Sequence, residues 1–115
     1  MQCSHEDTAD GLRIIRLVGR MDIEGNEAVA TRFTALSVSG SSAVLVDLTG
    51  LDFIGSIGIS TLISVARAVK NRKGALALFG AGSNVSSALE RTRVPAMIPT
   101  CATIGQARAL VATSS

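Results

Sequence analysis

At 115 residues the chain fits one domain, 1–115, and can bury roughly two-thirds of its unfolded surface, enough for a core without disulfides or metals. Hydrophobic residues make up 47% and charged residues 17%, which excludes a disordered chain and leaves some apolar surface for a partner. The net charge is only +2, with no Trp or Tyr and 3 Phe, so few rings can stack on bases and direct nucleic-acid binding is not expected.

Residues 1–10 read as an edge strand or a loose end. The opening Met1-Gln2-Cys3-Ser4-His5-Glu6-Asp7 is polar and acidic, unlike a secretory signal. Gly11 marks a hairpin turn. Leu12 to Val18 reads as a strand with Arg13 and Arg16 at solvent-facing or edge positions. After Gly19-Arg20-Met21-Asp22 the spacing of Val29, Phe33 and Leu36 predicts a helix from Ile23 to Leu36, weakened at its start by Gly25. Residues 37–42 form a polar loop that lacks the lysine of a phosphate-binding loop.

Ala43 to Val46 is an apolar run without a polar face, the pattern of a strand covered on both sides. A polar corner follows, with Asp47, Thr49, Gly50 and Asp52. Gly55-Ser56-Ile57-Gly58 then opens a helix through Leu62, Val65, Ala66 and Val69, closed by Asn71-Arg72-Lys73-Gly74. Ala75 to Phe79 is another buried strand, and Ser83 can cap a helix from Asn84 to about Arg91. Val94 to Ile98, between Pro95 and Pro99, reads as a marginal edge strand. Thr103 and Gln106 form a capping box for a last helix through Ile104, Ala107, Leu110 and Val111.

The order ββαβαβαβα makes this an α/β fold, with a mixed sheet of about five strands and about four helices. The helices lie mainly on one face or are split across both. Strands that alternate with helices require parallel right-handed crossovers, and the first two strands form an antiparallel pair. Leu17, Val44, Val46, Leu62, Leu76, Leu78 and Leu89 are the expected core.

Catalysis is not expected. Ser56 lacks the GxSxG elbow, because Ile54 stands where the first glycine belongs, and the only histidine, His5, lies near the chain start. A phospho-acceptor receiver domain would need paired acids that are missing. Cys3 and Cys101 fit no metal or CxxC spacing, so no metal or cofactor is expected, and both read as reduced, small hydrophobic residues. Phe53 to Ala66, an uncharged stretch, is too short to span a bilayer, so membrane insertion is not expected and the location reads as cytoplasmic.

The run from Val44 to Ile59 resembles the signature of the STAS domain found in bacterial anti-sigma factor antagonists: a buried strand, a polar turn, an aromatic, then Asp-Ser-Ser/Thr-Gly-Leu. Leu17-Val18-Gly19-Arg20-Met21-Asp22 is similar to the family's Leu-x-Gly-x-Leu-Asp, and Lys70 to Leu78 to its helix-to-strand corner. The resemblance implies a STAS-like fold and a non-catalytic role in binding an anti-sigma factor with serine kinase activity, which would bring the ATP. It places the phosphorylated serine on Ser56 and the helix-opening glycine on Gly58. Two positions depart from the pattern, with Gly55 for the Asp and Ile57 for the Ser/Thr. The expected partner surface is Asp22, Gly55, Ser56, Ile57, Gly58 and Ile59. Ser56 can equally be a helix cap, and Asp22 a cap on the helix before it. A non-switching STAS adaptor in a transport or signalling complex is the other reading.

Overall fold

A computed structural model describes residues 1–39 and 43–113; part of the expected loop 37–42 and the last residues of the expected domain, 114–115, lie outside them. In chain order the elements are β1 (Gln2–Asp7), β2 (Leu12–Met21), α1 (Ile23–Val38), β3 (Ala43–Asp47), β4 (Leu51–Ile54), α2 (Ser56–Asn71), β5 (Ala75–Phe79), α3 (Ser83–Arg91), α4 (Val94–Met97), β6 (Thr100–Cys101) and α5 (Ile104–Thr113). The sheet runs β1-β2-β3-β5-β6, with β1 antiparallel to β2 and the remaining neighbours parallel. The expected α/β class and mixed sheet are therefore present.

Side chains alternate across this sheet as strand pleating requires. Ile15, Leu17, Val44, Val46, Leu76 and Leu78 face one way, into a core shared with Val29, Phe33, Leu62, Val65 and Leu89 of the helices. Ile14, Leu45, Ala77 and Phe79 face the other way, against Ala107 and Val111 of α5. The helices are thus split across both faces, with α5 opposite α1, α2 and α3. All seven residues expected in the core are buried.

Three local expectations are corrected. Leu51–Ile54, read as part of a polar corner, is a strand that pairs in parallel with the far end of β2. Val94–Met97 is a helical turn rather than an edge strand. Arg93, in the left-handed region at φ 60°, redirects the chain there, and Pro95 falls in the first turn, where a missing N–H costs nothing. The edge strand comes after it, where the Pro99 carbonyl accepts from Leu78 N–H at 2.9 Å. Arg13 is not solvent-facing: its side chain is 12% exposed, bonds both carboxylate oxygens of Asp7, and donates to the Leu36 and Ser39 carbonyls at 3.0 Å. It thereby satisfies carbonyls at the C-terminus of α1, whose last turn has no basic residue of its own.

The helix ends follow their local chemistry. At the end of α2, Gly74 N–H reaches the Val69 carbonyl at 2.9 Å and Lys73 N–H the Lys70 carbonyl at 2.9 Å. This is a Schellman closure in which Lys73, at φ 62°, takes the left-handed position one residue before the glycine. The capping box of α5 is reciprocal: Gln106 N–H donates to Thr103 Oγ1 at 3.2 Å, and Thr103 N–H to Gln106 Oε1 at 3.3 Å. At α3 the cap is Gly82 and Ser83 is already helical, one residue earlier than expected.

Candidate partner-binding site around Ser56

The site is built by two adjacent parallel strands that end together. Met21 and Ile54 are register partners in β2 and β4, and Gly55 N–H donates to the Met21 carbonyl at 3.0 Å. Each strand hands directly to a helix, so the N-termini of α1 and α2 open side by side at the same sheet edge. Asp22 caps α1, its Oδ1 accepting from Gly25 N–H at 2.8 Å. Gly25 stands in that first turn because a Cβ there would run into the Arg20 carbonyl oxygen. The residue that lowers helix propensity is the one that lets α1 start against β2.

Helix α2 starts differently. Its N-cap is Gly55, which supplies no side-chain bond. Ser56 is the first helical residue, exposed, and its hydroxyl has no protein hydrogen-bond partner among the described residues. The expected cap on α2 is therefore not Ser56. The cap expected of Asp22 on α1 is present.

Gly58 and Ile59 face inward. A Cβ on Gly58 would lie 2.8 Å from Met21 Cγ and 2.9 Å from Ile54 Cγ1, so the missing side chain is what lets α2 press onto the strand pair. Ile59 is 8% exposed and belongs to the core, offering no surface to a partner. Two residues apart on a helix lie about 200° apart. With Ile59 inside, Ile57 must face out, and it is 46% exposed.

Ile57 has company that the sequence did not single out. Ile23 is 70% exposed and Phe53 is also exposed. With Asp22, Gly55, Ser56, Ile57 and Ser60 they line an open depression of about 550 Å³. The Arg20 guanidinium covers Phe53 at 4.5 Å from the ring centroid and lies 3.9 Å from the Asp22 carboxylate. No lysine or arginine lines the depression itself. Ile23 lies two residues beyond the paired Met21, and Phe53 is itself the register partner of Arg20, so both stand at the sheet edge where the helices begin.

His5 pairs with Ile15, six residues back along β2 from Met21, roughly 20 Å away along the strand. No group of three or more His, Cys, Asp or Glu that could hold a metal is present among the described residues. Asp47, at the end of β3, accepts from Thr49 N–H at 2.9 Å and so shapes the turn after that strand. No helix among the described residues is long and apolar enough to cross a membrane.

None of the curated proteins matches the sequence. Among solved structures the fold is similar to an anti-sigma factor antagonist from Mycobacterium paratuberculosis, with 21% identity, TM-score 0.86, and 96% of this chain and 92% of that one covered. It is also similar to an anti-sigma-factor antagonist (STAS) domain protein from Planctomyces limnophilus, with 23% identity, TM-score 0.81, and coverage of 96% and 97%. A sulfate transporter family protein from Wolinella succinogenes shares the fold at 17% identity and TM-score 0.74, with coverage of 90% and 87%. A family model, STAS domain, matches residues 6–107, and with that match the chain belongs to the STAS domain family.

Proposed function

We propose that this chain is an anti-sigma factor antagonist that docks a kinase-type anti-sigma factor on the Ser56 depression and is released by phosphorylation of Ser56. The observation that carries this reading is the set of three exposed apolar side chains, Ile23, Phe53 and Ile57, gathered around a serine whose hydroxyl is unengaged. Apolar anchors grouped this closely are what a partner desolvates on binding. The partner supplies ATP and the catalytic base; the chain supplies the acceptor hydroxyl and no catalysis of its own.

A phosphate on Ser56 adds about −1.5 to −2 charges at pH 7. At the first turn of α2 the free N–H groups and the helix dipole favour it by roughly 0.3–1 kcal/mol, so the fold survives. Against a bound partner the same charge must be desolvated beside apolar groups; no lysine or arginine lines the depression, and Arg20, over the Phe53 ring, already lies 3.9 Å from the Asp22 carboxylate. A loss of about 3–4 kcal/mol corresponds to a few hundred-fold in affinity. The switch is then a charge block rather than a change of shape.

The test is to mix the chain with each kinase-type anti-sigma factor encoded by its source genome and ATP, and to map phosphate by mass spectrometry. Phosphate on Ser56 in the wild type, and none in Ser56→Ala, supports the proposal. Binding without phosphorylation favours the second reading, a non-switching STAS adaptor. Two observations favour that alternative: Gly55 and Ile57 stand where the family pattern has Asp and Ser/Thr, and the same fold serves in a sulfate transporter family protein.

A further inference from the structure

Charge is divided along this chain. Eight of its nine acidic residues precede Phe53, and seven of its eleven basic residues follow it. The basic half carries a second depression that shares no lining residue with the Ser56 site. It lies between the second half of α2, the α4 turn and α5, as two adjoining cavities of about 300 and 320 Å³ that share Ala66, Lys70, Met97 and Ile98.

Apart from Arg67 and Lys70, its lining side chains are apolar. Ile98 and Val111 are buried at its base, Leu110 is exposed on one wall, and Met97 is 53% exposed on the other. Arg67 and Lys70, one turn apart on α2, stand exposed along it, and neither forms an ion pair among the described residues. No Asp or Glu lines either cavity. The dipole of α2 accounts for a cation in its last turn, but not for Arg67 a turn earlier or for an unfilled apolar trough beside both.

A trough with an apolar base and a cationic edge fits one amphipathic helix better than a flat bilayer, which is met by protruding apolar residues. Methionine on the wall adapts to the shape of what docks. We propose that this groove binds an amphipathic helix of a protein partner whose polar face is acidic. Its apolar side chains would sit on Met97, Ile98 and Leu110, and its carboxylates on Arg67 and Lys70. The chain could then hold one protein at Ser56 and a second on its far side, and this inference does not depend on the Ser56 reading.

The test titrates the full chain into a fluorescein-labelled peptide helix with Leu repeating at i, i+3, i+4 and i+7 and Glu on the other face. A counterpart peptide carries Lys in place of Glu. The acidic peptide should bind at least tenfold more tightly than the basic one, and more weakly as salt is raised. Arg67→Glu combined with Lys70→Glu should reverse the preference. Met97→Asp should cost at least tenfold with the melting temperature unchanged, while Ser56→Asp should have no effect. Equal affinity for the two peptides, or no binding of the acidic one, would overturn the proposal. So would phosphatidylglycerol vesicles binding in an Arg67- and Lys70-dependent way when the peptide does not, which would assign the groove to a membrane surface. Sedimentation showing self-association that the double variant abolishes would assign it to a second copy, with the same consequence.

Discussion

The Thr61 hydroxyl of α2 lies 2.6 Å from Asn26 Oδ1 of α1, a side chain–side chain hydrogen bond across the interface of the two helices that begin at the site. Asn26 is one of the two buried polar or charged residues found among those described. The hydroxyl has a single proton, and the Ile57 carbonyl is its more distant alternative at 3.1 Å. The bond therefore fixes how α1 and α2 sit against each other one turn behind Ile23 and Ile57, and so the spacing of the exposed apolar pair.

Thr61→Val keeps the shape and removes the proton, leaving Asn26 Oδ1 buried without this partner. The expected loss is about 1–3 kcal/mol of stability, read as a lower urea midpoint at unchanged m-value. An unchanged midpoint would mean that the bond does not tie the helices.

Two helical glycines should respond with opposite signs. Gly58→Ala forces a Cβ into Met21 and Ile54 and should destabilise by roughly 1–3 kcal/mol, outweighing the gain of about 0.5–1 kcal/mol in helix propensity. Gly105→Ala in α5 meets nothing closer than Thr103 Oγ1 at 3.9 Å and should be neutral or stabilising by up to about 1 kcal/mol. Chemical denaturation of both variants checks the pair. A stable Gly58→Ala protein would remove the packing account of Gly58.

Much of this was legible in the sequence, and the misses share a cause. Apolar runs marked β3 and β5 because a strand buried on both faces has no polar alternation to confuse, and β2 was legible despite Arg13 and Arg16. β4 was hidden. In Leu51-Asp52-Phe53-Ile54 only the two end residues are buried, and its register with β2 shifts between Gly19 and Arg20. The turn at Val94 needed the left-handed Arg93, which no pattern announces. At the site, motif spacing located Ser56 and Asp22. It could not decide which of Ile57 and Ile59 faces out, because that depends on the rotation of α2 against Met21 and Ile54. Ile23 and Phe53 were missed because exposure of an apolar residue is a tertiary fact.

The Arg13 guanidinium bonded to Asp7 holds that carboxyl below its ordinary 3.8, so the folded state favours its charged form. A depressed carboxylate contributes stability above its unfolded value and loses it as pH falls through the folded one. Asp7→Asn should therefore be less stable than wild type at neutral pH, with the difference closing as pH drops below about 3.8. Thermal melts across the acid range check this; a difference that widened on acidification would give the linkage the wrong sign. Because Asp7 is exposed, the effect should be small and should shrink further in salt.

In the proposed switch, a charge at Ser56 blocks the partner while the domain stays folded. The switch is tested most directly by calorimetric titration of the anti-sigma factor into unmodified and stoichiometrically phosphorylated chain, with a thermal melt of each form. Phosphorylation should weaken binding by at least about a hundredfold, a loss of roughly 3 kcal/mol, with melting temperatures within about 5 °C of each other. Equal affinities for the two forms, with both still folded, would contradict it and leave Ser56 as an exposed first-turn residue of an adaptor.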